Sequence, residues 1–307
     1  MKTHVTILAL ILVAAPLALA TDVPSRRIEP VAIANGIGVN ISIIGRLLGG
    51  GNTLFVTSVD VSNNTANATQ VDFYFDGVDL VTQSPIVIDG SITDNGIAAQ
   101  ETGSLRGYSN AHFDDFIDAL VQADLLTVEV RDNGVLGSLL LVYDGFTRAG
   151  EGSASARFEN EFGGGTIGVA LAGHVISTDE PQELVATIRD TRGRPGPQLY
   201  TNMFINNTGL TPTSGGVAGP VTVELTARAN SSGLEVGVPI TLSDIGPGQT
   251  RSVNQVLTQM QVSTSAEDTI LVFARVTSGN AAIAGAISVV DATTRDGSVV
   301  EMNRADF

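Results

Sequence analysis

Apolar and polar residues alternate strictly along two segments of the chain. In Val71–Asp76 the odd-numbered positions are Val, Phe and Phe, and in Val221–Thr226 they are Val, Val and Leu. Successive side chains of a strand point to opposite faces, so a period of two indicates one buried face and one solvated face. We therefore expect both segments to be half-buried β-strands.

Two other segments repeat apolar residues at the spacing of a helix. The first begins near residue 113, where Ser109 or Asn110 is the expected N-cap and Asp114 and Asp115 suit the positive end of the helix dipole. The second follows a possible N-cap at Ser252. The apolar residues are Phe113, Phe116, Ile117, Leu120 and Val121 in the first segment, and Val253, Val256, Leu257 and Met260 in the second.

A β-hairpin is predicted after each helix. The first joins Leu126–Arg131 to Leu139–Tyr143 through Asp-Asn-Gly, and the second joins Ile270–Thr277 to Ala281–Val290 through Ser-Gly-Asn. Asn-Gly and Gly-Asn pairs supply the positive φ angles that tight hairpin turns need.

The same order of features occurs twice, which predicts a duplicated module. Asn63–Thr65 and Asn206–Thr208 both read Asn-Asn-Thr, and each triplet lies between an extended segment and an alternating strand. Many short strands with one helix per copy predict an all-β fold. We expect two tandem immunoglobulin-like β-sandwich domains, each with one short helix, at residues 21–178 and 179–307. The Gly/Pro-rich stretch Arg192–Pro197 is the alternative boundary, and Ala154–Val175 is interpreted as an extra hairpin of the first copy.

The second copy resembles the tandem β-sandwich repeat modules of secreted bacterial proteins. The likeness is strongest over Leu199–Val300, notably in Ile245–Arg251, which contains Gly-Pro-Gly-Gln-Thr-Arg, and in Ile287–Asp291, which ends in Val-Val-Asp. In the first copy Thr102–Arg106 takes the place of the glycine-proline element. The resemblance implies a fold and export, and it implies no activity.

The first twenty residues predict export. Lys2 precedes an apolar run, Val5–Ala20, which ends in a small-x-small cleavage pattern. This is the pattern of a secretory signal peptide, and the run is too short for a stable transmembrane span. We expect a mature protein that starts near Thr21, is secreted to the periplasm or beyond the cell, and carries no transmembrane segment.

Composition excludes several classes of function. Lys and Arg total 16 against 32 Asp and Glu, for a formal net charge of −16, whereas a nucleic-acid-binding protein needs a basic surface. There is no Cys, so disulfides are excluded although export would permit them. Lys2 is the only lysine, so a mature chain without the leader has none for a Schiff base or a phosphate-binding loop.

Three features invite a chemical interpretation, and each has a plainer one. His112, Asp114, Asp115 and Asp118 cluster at the first helix, where Asp114 and Asp118 could form a carboxylate pair or a cation site. A solvated acidic helix start is the favoured interpretation. The glycine run at 163–168 fits a dinucleotide-binding pattern by letter, but a hairpin turn or bulge is favoured, and His174 beyond it is interpreted as a surface or loop histidine. The Asp-rich turns Asp72–Asp79, Asp89–Asn95 and Asp132–Asn133 offer oxygen ligands for a cation and are also ordinary turn residues.

These observations favour an exported, non-enzymatic, structural or adhesive protein. It would act at the cell surface or in the extracellular matrix and would pair with another protein, or with itself, through strand edges. We assign no catalytic residues and no cofactor, with calcium at the Asp-rich turns as the one possibility. The alternatives are a secreted hydrolase that uses paired carboxylates, and a calcium-dependent carbohydrate-binding module.

Overall fold

Strands dominate the part of the chain that the structure, a computed structural model, describes. These are residues 36–48, 54–99, 103–148, 150–162, 165–176, 182–196, 198–209, 211, 218–263, 269–291 and 297–305. The predicted leader lies outside them. The fold is all-β, as expected, and no helix among the described residues has the length and apolar character to cross a membrane.

The first half of the chain contains eleven of the described strands and two helices. They are β1 (Gly36–Leu48), β2 (Leu54–Asn63), β3 (Thr69–Asp79), β4 (Pro85–Thr93), β5 (Gly96–Ala98), β6 (Ser104–Leu105), β7 (Ser109–Phe113), α1 (Phe116–Gln122), α2 (Val128–Asn133), β8 (Val135–Asp144), β9 (Gly152–Phe162), β10 (Gly165–Ala172) and β11 (His174–Ile176).

The second half contains nine described strands and one helix. They are β12 (Glu183–Arg189), β13 (Leu199–Asn207), β14 (Val221–Ala229), β15 (Ile240–Ile245), β16 (Thr250–Val253), α3 (Val256–Gln259), β17 (Thr269–Ser278), β18 (Ile283–Asp291), β19 (Gly297–Glu301) and β20 (Asn303–Arg304).

Strand β1 connects the two layers of the first half. Most of it pairs with β8, and its last two residues, Leu47 and Leu48, pair with β2 instead. The pairing with β8 shifts in register between Ile41 and Ile44, and such an irregularity bends a strand. One layer has the order β5-β4-β3-β8-β1-β11 and the other has β7-β2-β9-β10.

The second half is made of two separate antiparallel sheets. Their strand orders are β15-β14-β17-β12-β20 and β16-β13-β18-β19. If β5 and the short β6 are set aside, the pairing order matches that of the first half strand for strand. Thus β4-β3-β8-β1-β11 corresponds to β15-β14-β17-β12-β20, and β7-β2-β9-β10 corresponds to β16-β13-β18-β19.

An asparagine ends the second strand of each half and makes the same contacts. The Asn63 Nδ2 donates to the carbonyls of Asn67 at 2.7 Å and Leu105 at 3.1 Å, and its Oδ1 accepts from the amide two residues ahead at 3.0 Å. The Asn207 Nδ2 donates to Gly219 at 3.1 Å and Ile245 at 2.8 Å, and its Oδ1 accepts from the amide two residues ahead at 2.9 Å. The structural counterpart of Asn63 is therefore Asn207, one residue later than the match of the two Asn-Asn-Thr triplets suggests.

Each half encloses its own apolar cluster, which confirms the two alternating strands. Val71, Phe73 and Phe75 are buried in the first cluster, and Val221, Val223 and Leu225 are buried in the second. Phe116 of α1 lies in the first cluster, where its ring meets Phe73 and Phe113 edge to face. Val256 and Leu257 of α3 are buried in the second cluster, so α1 and α3 each pack against a core. Both helices start later than predicted, because Phe113 belongs to β7, and Ser252 and Val253 belong to β16.

The first predicted hairpin is wrong. Residues 128–133 form helix α2, because the Thr127 side chain caps its start by accepting from the Val130 amide. Gly134, with φ of 90°, ends the helix, so the turn signal marks a helix end instead of a hairpin. The first half consequently has two helices instead of one.

Two further predictions about connections need correction. Strands β17 and β18 lie in different sheets, so the Ser-Gly-Asn segment crosses between layers instead of closing a hairpin. Residues 154–175 do contain a hairpin, formed by β9 and β10, but it corresponds to β18 and β19 and is not an addition. The start of α1 also differs: Ser109 and Asn110 belong to β7, and the N-cap is Asp115.

Candidate functional site

The acidic residues at the start of α1 are divided between a surface triad and partly buried ion pairs. His112 lies between the carboxylates of Asp60, at 2.9 Å from Nδ1, and Asp114, at 3.1 Å from Nε2. The hydrogen bond that His112 donates to Asp60, followed by the one that it donates to Asp114, raises the pKa of His112 above its ordinary value, although burial acts in the opposite direction. All three side chains are largely exposed, so this triad is a solvated surface feature.

Arginines hold the other two carboxylates of the cluster. Asp115 pairs with Arg46, and Asp118 accepts from the Arg131 guanidinium at 2.6 Å. The hydrogen bond from Arg131 is the largest influence on Asp118 and lowers its pKa. The structure thus gives Asp114 and Asp118 different hydrogen-bond partners, His112 and Arg131.

Asp115 and Asp114 give a matched test of this division. Asp115→Ala removes the N-cap, whose carboxylate accepts from the Asp118 amide at 3.1 Å, and leaves the half-buried Arg46 without its partner. We expect a loss of about 1–2 kcal/mol in the free energy of unfolding. Asp114→Ala should change that free energy by less than about 0.5 kcal/mol. Urea denaturation of both variants checks this, and equal losses would contradict the division.

The Asp-rich turns are stabilised by protein groups. Asp79 accepts from the amides of Val81 and Thr82 and from the Asn133 side chain, and the last of these contributes most to lowering its pKa. Asp94 accepts from the Arg106 guanidinium at 2.6 Å. Across the described ranges, no group of three or more His, Asp and Glu side chains is placed to hold a metal ion.

Because Asp79 and Asp94 already have protein donors as partners, we expect the fold not to depend on divalent cations. EDTA should shift the Tm of the full chain by less than about 1 °C, because a ligand stabilises only a fold that binds it. Differential scanning calorimetry with and without calcium checks this. A rise of several degrees in calcium would contradict the expectation and support the calcium-dependent alternatives.

The glycine run is part of a hairpin. Gly165–Ala172 is strand β10, paired with β9 through Gly165 and Phe162, and a strand in this position excludes the helix that a dinucleotide-binding loop requires. Gly163 and Gly164 lie outside the described residues. The backbone of His174 is in β11, opposite Asn40, instead of in a loop.

A buried polar cluster lies where the two halves of the chain meet, and we call it the junction. Ser138 of β8 is 4% exposed and donates from Oγ to the Gly248 carbonyl at 3.0 Å. The same Oγ accepts from the Asn206 Nδ2 at 3.0 Å. Ala286 of β18 belongs to the apolar cluster of the first half, and Phe204 packs against that cluster. The outer face of one layer in each half thus contributes to the contact.

Asp76 is the most perturbed carboxyl group in the described part of the chain. It lies directly across from Ser138 in the register of β3 and β8, and it is 7% exposed. Burial raises its pKa to about 7. A carboxyl group that titrates near neutral pH, beside a hydroxyl, could act as a general acid or base. In this structure, however, protein groups bury the Asp76 carboxyl group almost completely.

Sequence reasoning missed the junction. The alternation in Val71–Asp76 assigns Asp76 to the solvated face, and a local pattern cannot reveal that a segment far along the chain covers that face. One signal was available in Val135–Tyr143, which is apolar at nearly every position apart from Gly137 and Ser138. Near-continuous apolar character is typical of a strand that is buried on both faces.

Comparison with known proteins gives no family. The chain matches no protein-family model and no curated protein.

Proposed function

We propose that the chain is an exported, non-enzymatic protein with a structural or adhesive role, built from two tandem immunoglobulin-like β-sandwich domains at residues 21–178 and 179–307. The observation that carries the proposal is the strand-for-strand correspondence of the pairing order in the two halves. The equivalent contacts of Asn63 and Asn207 support it, since both side chains tie the same two connections to the end of a strand. A serial arrangement of one module suits a spacer or surface component.

A difference between the two modules indicates where a partner would bind. In the first half, β5 pairs with the outer edge of β4. The equivalent edge strand of the second half, β15, pairs with β14 alone among the described strands, and Thr241 and Ser243 are exposed along it. An edge strand with free backbone groups can accept a further strand. The edge of β15 is therefore the proposed site of association with another strand, including one from a second copy.

Size-exclusion chromatography with light scattering tests the proposal. We expect the mass of the full chain to rise with concentration, and Thr241→Lys to reduce the association because a lysine on an edge strand opposes pairing. Thr222→Lys is the matched control, since Thr222 is partly exposed on β14, which is paired on both sides by β15 and β17, and it should associate like the parent chain. A monomer at every concentration, or equal effects of the two substitutions, would contradict association through this edge.

A further inference from the structure

Asp76 lies at the border of the junction, between the buried Ser138 and the partly exposed strand β4. On one side it faces Ser138, which is hydrogen-bonded to Gly248 and Asn206 of the second half. On the other side it faces Val87 of β4, which is 38% exposed. Phe75 faces the core, so Asp76 lies on the opposite face of β3. This is the face on which the neighbouring Ser138 meets the second half.

No charged neighbour explains the state of Asp76, because burial is the only influence resolved on its pKa. Its own strand carries Asp72 further along the same face, β4 carries the exposed Asp89, and β8 carries Asp144 at its far end. Residues 246–250, whose Gly248 accepts from Ser138, have no charged side chain, and Arg251 follows them in β16. Because Asp76 lies across from Ser138, separation of the second half would expose this face of Asp76 to solvent.

We propose that ionisation of Asp76 weakens the contact between the two halves, so that they dock more firmly in acidic surroundings and separate more readily as the pH rises towards neutral. Burial disfavours a carboxylate that has no positively charged partner, and Asp76 in the junction is 7% exposed. Separation would expose the group to solvent. The inference concerns the contact within one chain and does not depend on the proposed adhesive role.

Two other side chains lower the stability of the contact between the two halves. The Nδ2 of Asn40 and the Oδ1 of Asn206 are buried, and neither has a hydrogen-bond partner in the structure. Asn206 lies in the junction, and Asn40 lies on β1 beside β8, on the outer face of the same layer as Asp76. Buried polar atoms without partners oppose docking. One additional buried charge can therefore shift the equilibrium between the docked and the separated halves.

The direction of the pH dependence follows from the two states of Asp76. When it is covered, its pKa is raised to about 7, and when it is exposed the ordinary value is 3.8. Below the exposed value both states keep the proton and docking is strongest. Between the two values separation releases a proton, so the equilibrium constant for separation rises by about tenfold per pH unit. Above pH 7.5 it levels off.

Thiol labelling measures this equilibrium, because the chain has no cysteine of its own. Ala286→Cys places one thiol at the junction, where Ala286 is fully buried. Ala227→Cys places one in the core of the second half, where labelling requires unfolding, and Asn230→Cys supplies an exposed reference for the reactivity of the thiol itself. We expect the corrected rate at Ala286→Cys to rise about tenfold per unit between pH 5 and 6.5 and to level off above pH 7.5, with no such rise at Ala227→Cys.

Substitutions at two aspartates complete the test. Asp76→Asn, combined with Ala286→Cys, should remove the pH dependence, and Asp89→Asn, an exposed carboxyl on the same face, should leave it unchanged. Small-angle scattering of the unsubstituted chain should give a larger radius of gyration at pH 8.5 than at pH 5.5. A scattering curve and a labelling rate that do not change with pH would overturn the inference, as would an unchanged slope in Asp76→Asn.

Discussion

Asn207→Ala should lower the free energy of unfolding by about 2–4 kcal/mol, and Asn63→Ala should lower it by a similar amount. Each side chain is almost fully buried and joins three backbone groups from separate connections. Truncation leaves the buried carbonyl of Leu105 or Ile245 without its partner, which costs about 1–3 kcal/mol, and it also removes two bonds to partly buried backbone groups. Urea denaturation at one pH measures both variants.

Asn64 provides the matched control for Asn63. It is the next residue in the same triplet, but it is exposed, and its amide group donates to Gly150 and Ser153 at the surface. Asn64→Ala should therefore change the free energy of unfolding by no more than about 1 kcal/mol. Equal losses at Asn63 and Asn64, or a large loss at only one of Asn63 and Asn207, would argue against equivalent roles in the two halves.

Asp76→Asn should stabilise the protein against unfolding at alkaline pH. The unfolded chain ionises Asp76 at its ordinary pKa of 3.8, whereas burial raises the pKa in the fold to about 7. Below pH 4 both states are protonated and the residue imposes no penalty. The penalty then grows as pH rises and becomes constant above 7, where the difference between the two values corresponds to roughly 4 kcal/mol. Asparagine has a similar shape and never ionises.

Urea denaturation at two pH values separates the penalty of ionising Asp76 from any effect of the substitution that does not depend on pH. The variant should be more stable than the parent chain by roughly 2–4 kcal/mol at pH 8.5 and equal to it within about 1 kcal/mol at pH 4. The exposed Asp89→Asn should show no such difference. If Asp76→Asn changes stability by the same amount at both pH values, then its carboxyl group is not held neutral by the fold.

Local patterns predicted the elements whose environment is local. Alternation identified the buried faces of β3 and β14, because the pleat of a strand fixes which side chains face the core. It failed for α2, where Val128 and Val130 favour a strand. The cap at Thr127 and the left-handed Gly134 overrode that preference, and a two-ended capping signal was present in the sequence.

The junction could not be predicted in the same way. Asp76, Ser138 and Gly248 lie on three segments that are far apart in the chain, and only the packing of the two halves brings them together. The duplication indicated that one module recurs, but it carried no information on which face of one copy covers the other. The hydrogen bonds of Ser138 with Gly248 and Asn206 are a property of that contact.

The course of β1 implies that the two halves will resist stretching unequally. β1 is hydrogen-bonded to β2, β8 and β11, and so it is anchored in both layers, whereas β12 bonds, among the described strands, only to β17 and β20 within a single sheet. A pulling force applied at the amino-terminal end must shear two sheets together to extract β1, while β12 can be peeled from one. Under tension the carboxyl-terminal half should therefore rupture first, at the lower force, and act as the extensible element of the molecule.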